Sequence, residues 1–179
     1  LFRSRRFFVI DDIYSVEAMS AAVSSIKPDV VIIDYVQKVT TTLNIVNLRE
    51  RMEYISGEFK RIAKYNHCCL IALSQISRNG KEAPTMSDLK ESGALEADGD
   101  YILLIHRPYV LNKGSRDISE HTTEVLVDKN KFGSTGKVDF YFDGQYQQFR
   151  EIDKRFEGMH MTSEPVPRSF CGNAKEAEQ

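Results

Sequence analysis

The chain has 179 residues, 41% of them hydrophobic, with 24 basic and 26 acidic side chains and a net charge of −2. That length fits one domain able to bury roughly 70% of the surface its unfolded chain exposes, without a disulfide or metal staple. The charge balance excludes a uniformly basic nucleic-acid protein of the histone sort, but a local basic path along one surface is compatible with it.

In chain order, Leu1–Arg6 lacks an apolar core of signal-peptide length. The first residue is Leu rather than Met, and the expectation is a chain that begins inside a longer protein. Short apolar runs then recur: Phe7–Ile10, Val30–Ile33 ending on Asp34, Leu70–Leu73 ending on Ser74 and Gln75, and Tyr101–Ile105 ending near His106. The runs are continuous rather than alternating, as expected of strands buried on both faces of a parallel sheet. Between them lie helix-length stretches. Ser15 to Ile26 opens on a capping Ser and stops before Pro28. Leu48, Met52, Ile55, Phe59 and Ile62 keep a helical period, with Arg49, Glu50, Glu53, Lys60 and Lys64 on the other side. Strand–helix–strand alternation implies right-handed crossovers and an α/β fold.

After residue 120 the pattern changes. Glu124–Asp128, Val138–Phe142 and Tyr146–Phe149 are short, with Gly133, Gly136 and Asp143-Gly144 between them. Asp-Gly between two such runs is a hairpin signal, so the sheet is expected to finish with antiparallel strands on one edge. Residues 108–120 read as a polar loop, and residues 158–179 as a polar, disordered tail behind a domain spanning 1–157. Cys68 and Cys69 open an apolar run and Cys171 lies in the tail. We read them as buried free thiols of a reducing cytoplasm. No stretch reaches the ~18 apolar residues that span a membrane.

Four segments could carry chemistry. Asp34 ends a buried strand, where open α/β sheets bind ligands, and could hold magnesium against a nucleotide's phosphates; the alternative is a carboxylate that only caps the next turn. Gln75 repeats the arrangement one crossover later and could sense a terminal phosphate or the attacking water; otherwise it is an ordinary strand-end amide. Lys129, Lys131 and the Gly133–Gly136 turn suit an anionic partner, or form a solvated hairpin tip. This turn is not a P-loop: its glycines are too close, Val138 replaces the Ser or Thr, and a strand follows. Ser87–Gly93 could grip a nucleic-acid phosphate, or simply cap a helix. His67-Cys68-Cys69 lacks a second ligand pair at zinc spacing.

Together and in order, these segments resemble the DnaB family of RecA-like hexameric helicases. Ile33-Asp34-Tyr35-Val36-Gln37 resembles its Walker B strand, and Leu73-Ser74-Gln75-Ile76-Ser77-Arg78 its phosphate-sensing strand. The run Met86 to Asp100, containing Ser-Asp-Leu-Lys-Glu-Ser-Gly, is similar to the family's DNA-channel loop. Lys129 to Gly136 resembles the element that enters the neighbouring subunit's nucleotide site. The likeness covers roughly residues 7–150. It implies a RecA-like, mainly parallel sheet flanked by helices, with antiparallel strands at the C-terminal edge. The implied activity is ATP-dependent DNA unwinding in replication, by a homo-hexamer on single-stranded DNA with ATP (or another NTP) and Mg2+. The implied setting is a bacterial or phage replisome in the cytoplasm, without a membrane, with primase and a helicase loader as further partners.

The resemblance gives Asp34 the magnesium, Gln75 the γ-phosphate, and Lys90, Glu91 and Gly93 the DNA. Lys129, Lys131 and Gly133 go to the adjacent protomer's nucleotide. Two departures stand out. Lys131 occupies the arginine-finger position, keeping the charge but losing the planar fork. The family's phosphate-binding loop and catalytic Glu fall upstream of Leu1, so the chain alone is expected to be inactive. Two other readings fit some of these segments: a RadA-type recombination ATPase and a nucleic-acid-binding module without a P-loop.

Overall fold

The computed structural model describes residues 7–76, 83–86, 93–111 and 119–152. Its elements run α1 (Val16–Ile26), β1 (Val30–Asp34), a 3-10 turn (Val36–Lys38), α2 (Leu48–Asn66), β2 (Cys69–Leu73), α3 (Gly93–Asp98), β3 (Tyr101–His106), α4 (Pro108–Leu111), β4 (Thr122–Asn130), β5 (Gly136–Asp143) and β6 (Gln148–Glu151).

Both long helices begin at side-chain caps. The Ser15 hydroxyl accepts from the Ala18 N–H at 3.3 Å, and Asn47 Oδ1 accepts from Arg49 N at 2.9 Å, so each satisfies a donor that a helix start leaves unpaired. Lys27 and His67 close the helices in the left-handed region, at φ 51° and 52°. The turn after Lys27 leads through Pro28 into β1.

The β1 and β2 strands pair in parallel, Val30 with Cys69 through to Asp34 with Leu73. The α1 and α2 helices cover one face of this pair. Val16 and Val23 of α1 join Ile33, Val36 and Val39 of the first strand and its turn, and Met52, Ile55, Phe59 and Ile62 of α2, in one buried cluster. The opposite face is open: Val30, Ile32, Ile71 and Leu73 are exposed, Ile32 by 63%. This corrects the expectation of strands buried on both faces, because among the described residues helices cover only one side.

The other strands form an antiparallel sheet in the order β3-β4-β5-β6. The β4–β6 meander follows the order of the short runs, but β6 begins two residues later than the expected Tyr146–Phe149, because residues 144–147 make the turn after Asp143. Asp143 Oδ1 accepts from Gln145 N at 3.1 Å to shape the last turn. The continuous run Tyr101–Ile105 pairs antiparallel with β4, with a register shift between Ile102 and Leu103. Its apolar residues alternate: Leu104 is buried while Tyr101, Leu103 and Ile105 are exposed. A continuous apolar run therefore did not identify a parallel strand here. Phe7–Ile10 forms no strand among the described residues; Phe7 is an isolated bridge position and all four side chains are exposed. Cys69 is exposed rather than buried, whereas Cys68 is half-buried, and burial pushes its thiol pKa up. Within the expected loop, Pro108–Leu111 forms a short helix. The expected tail, 158–179, lies outside the described residues.

Candidate functional site

The parallel register decides what stands beside Asp34. Because Asp34 pairs with Leu73, Ser74 and Gln75 leave β2 at the edge where Asp34 leaves β1. Gln37 joins the two strand ends. Its Nε2 donates to Ser74 Oγ and to Gln75 O, both at 3.0 Å. Its Oε1 accepts from Gln75 N at 3.3 Å. One amide thus uses both its donor and acceptor ends on the neighbouring strand exit. The loop beyond the 3-10 turn is tied back to α1: Glu17 accepts from the Thr41 hydroxyl at 2.5 Å and from Thr42 N at 3.1 Å, and Val16 N donates to Thr40 O at 2.9 Å. Asp34 is exposed and Asp34–Tyr35 is a cis peptide. No group of three His, Cys, Asp or Glu side chains among the described residues could hold a metal ion. A lone exposed carboxylate fits a magnesium ion whose other ligands are water and phosphate.

The end of β4 is a second cluster. The Lys129 ammonium donates to the carbonyls of Glu96 and Ala97, the latter at 3.2 Å. A cation at the last carbonyls of a helix suits both their unpaired acceptors and the helix dipole. Asp128 Oδ2 accepts from Met86 N at 2.9 Å. Lys131 is anchored twice to Asp100: its N–H donates to the carbonyl at 3.0 Å, and its ammonium meets Oδ1 at 3.0 Å. Lys60 of α2 reaches the same carboxylate at 2.6 Å. Hydrogen bonds first from Lys60 and then from Lys131 hold the Asp100 carboxyl below its ordinary pKa.

The turn itself is shaped by Asn130, whose Oδ1 accepts from Phe132 N at 3.0 Å and whose Nδ2 donates to Ser134 O at 3.1 Å. A Cβ on Gly133 would sit 3.0 Å from that Nδ2, so a larger residue there would push against the bond that closes the turn. Gly99 is tighter still: a Cβ would lie 2.9 Å from the Leu95 carbonyl.

The DnaB-like helicase C-terminal domain model matches residues 3–151. The chain belongs to this family. It is 36% identical over 130 residues to the replicative DNA helicase DnaB of Mycoplasma pneumoniae, covering 67% of this chain and 28% of that protein. It is 32% identical over 155 residues to a probable replicative DNA helicase of Trieres chinensis, covering 79% and 34%. Among solved structures, it is similar to one described as an ATPase domain, with a TM-score of 0.72 and 30% identity over 78% of this chain and 52% of that one. A DnaB-like replicative helicase described with its interactions with primase gives a TM-score of 0.71 and 30% identity, over 78% and 36%. The chain spans about a third of the length of the curated relatives it matches.

Set against this DnaB-type domain, the residues singled out from sequence fall into two groups. Asp34 and Gln75 share one strand edge. Lys129 and Lys131 meet the segment 96–100 through the contacts above, and Gly133 sits in the turn beyond. No hydrogen bond or ion pair among the described residues links the groups. Lys90 and Glu91 lie outside the described residues. Gly93 begins α3 beside a groove of about 890 Å³ lined in part by Arg49, Glu53, Ala97 and Asp98.

Sequence reasoning gave no role to Lys60, Asp100 or Asp128, and saw Gln37 only as part of a strand motif. It also passed over Glu124. This carboxylate takes Lys137 at 2.7 Å and His106 Nδ1 at 2.9 Å. The Lys137 bond, opposed by burial and aided by His106, leaves the Glu124 pKa lowered. His106 is 7% exposed, and its Nε2 has no hydrogen-bond partner among the described residues. A sequence hint of this group is the alternation Lys137-x-Asp139 on β5, whose register sets Asp139 opposite Glu124 and Lys137 two residues along.

Proposed function

We propose that the chain is the part of a replicative DNA helicase motor that organises magnesium, reads the terminal phosphate and serves the next subunit's nucleotide. The whole protein would couple NTP hydrolysis to movement along single-stranded DNA within a homo-hexamer in a bacterial or phage replisome, with primase and a loader as partners. The observation that carries this reading is the Gln37 bridge, which fixes the Gln75 exit beside the Asp34 exit. A carboxylate and a neutral amide at adjacent strand ends are what phosphoryl transfer needs: one group for the metal, one for the γ-phosphate or attacking water. Asp34 would serve as the Walker B acid, holding Mg2+ directly or through water, and the ion would supply charge neutralisation between phosphates. Lys131, with Lys129 behind it, would place positive charge at the nucleotide of the neighbouring protomer. Gly93, with Lys90 and Glu91 before it, would contact the DNA backbone.

The test is hydrolysis by the helicase that contains this chain, measured with and without single-stranded DNA. Asp34→Asn should abolish turnover, while Gln75→Ala should lower it and remove its stimulation by DNA. Unchanged stimulation in the Gln75 variant would refute the sensor role. The 179-residue chain by itself should show no appreciable turnover, and robust hydrolysis by it would refute the assignment of the phosphate grip to another segment.

A further inference from the structure

The geometry points to Asp100 as an internal counter-anion that holds Lys60 and Lys131 together until a polyphosphate displaces it, with Lys60 as a third member of the basic cluster. This inference rests on the trans-acting role given to the turn above.

One carboxylate receives both ammonium groups, Lys60 on both oxygens at 2.6 Å and Lys131 on Oδ1 at 3.0 Å. Two cations from elements far apart in sequence are thereby held next to each other. Alone they would repel, so the carboxylate between them makes the pairing possible. The three side chains are 40–44% exposed, and ion pairs in so much water are weak and exchange readily. A triphosphate tail carries more charge than one carboxylate and more acceptor oxygens, so it competes well for the same two ammonium groups.

The backbone is arranged for such an exchange. The Lys131 N–H stays on the Asp100 carbonyl at 3.0 Å, and Asn130 closes the turn independently. The side chain can therefore leave its carboxylate while the turn keeps its shape. Lys129 differs in kind. Its ammonium sits on two helix-end carbonyls, and withdrawing it would strip those acceptors of their partner. The exchangeable charges are thus Lys131 and Lys60, and Asp100 is their positioning residue.

The experiment titrates the 179-residue chain with inorganic tripolyphosphate at low ionic strength by calorimetry. Asp100→Asn should bind about three- to five-fold tighter than the parent chain, the size expected for removing a competitor from exposed pairs. Asp100→Glu, which keeps the charge, should return affinity towards the parent value. Glu120→Gln makes the same change in net charge elsewhere and should move affinity less than two-fold. The gain of Asp100→Asn should vanish when Lys131→Ala or Lys60→Ala is added. Equal binding by parent and Asp100→Asn, or a gain that survives loss of Lys131, overturns the inference. Circular dichroism checks that each variant is folded; should Asp100→Asn fail to fold, Lys60→Ala decides alone, since unchanged tripolyphosphate affinity there overturns the inference. No DNA or hydrolysis enters this measurement, so it can fail while the helicase reading stands, and the reverse.

Discussion

The α2 helix meets its two neighbours by different physics. Towards the parallel pair it offers Met52, Ile55, Phe59 and Ile62, all buried in one apolar cluster. Towards α3 and the start of β3, where Leu95 also packs against that cluster, it adds polar contacts: Ser56 Oγ donates to Asp98 at 2.6 Å, and Lys60 meets Asp100. The first contact is non-directional and scales with buried area. The second depends on geometry, salt and protonation. Strand ends that must hold a fixed spacing rest on the apolar contact, whereas the basic turn, whose charges are proposed to change partners, rests on the polar one.

The sharpest way to break this contrast is to remove apolar mass from the first contact. Phe59→Ala should cost about 3–5 kcal/mol in chemical denaturation, from lost transfer energy and a residual cavity. Phe59 is 4% exposed and packs inside the cluster that seats Ile33, so the loss should be global and insensitive to salt. A loss below about 1 kcal/mol would mean that the parallel pair does not depend on α2.

The antiparallel sheet, which has its own ion pairs, should instead show a pH signature, and Glu124 is where to read it. Its folded pKa lies below the ordinary value, chiefly through the Lys137 hydrogen bond and with help from His106. A depressed carboxylate gives stability that is fully present above its unfolded pKa and disappears as pH falls through the folded one. Acid should therefore weaken the sheet from the ordinary glutamate range downwards. Lys137 is 48% exposed, so solvent screening keeps the contribution under about 1 kcal/mol. Melting from pH 7 to pH 3 should show a smaller acid-induced drop for Glu124→Gln than for the parent chain. Equal drops would show that the shift carries no stability.

Sequence and structure part company along the same line. The local signals were readable: Ser15 before α1, the period of α2, and Asp143-Gly144 before β6. So were the positions of Asp34, last in β1, and Gln75, two residues past β2, because a strand's end follows from where its apolar run stops. What could not be read was which runs pair. Tyr101–Ile105 is as apolar as Val30–Ile33, yet it lies antiparallel and alternates in burial, since partner choice is tertiary and leaves no mark on a short continuous run. The same holds for Asp100 and Lys60, which are 40 residues apart. On α2, Lys60 looks like any solvated face residue until the fold brings Asp100 to it.

The smallest expected effect tests the side of β1 that α2 does not reach. Ile32 and Ile33 are neighbours on one strand, 63% and 9% exposed. Ile33→Thr places a hydroxyl inside the cluster and should cost more than about 1 kcal/mol. Ile32→Thr removes apolar surface that is already in water, keeps a β-branched residue in the strand, and should change stability by less than about 0.5 kcal/mol. The two variants thus carry the same chemical change on opposite sides of one strand, and their difference isolates the cover that α1 and α2 provide. A large loss at Ile32, with a midpoint that rises with protein concentration, would mean that a second copy covers the open face in solution. A large loss independent of concentration would instead place a segment of the same chain there.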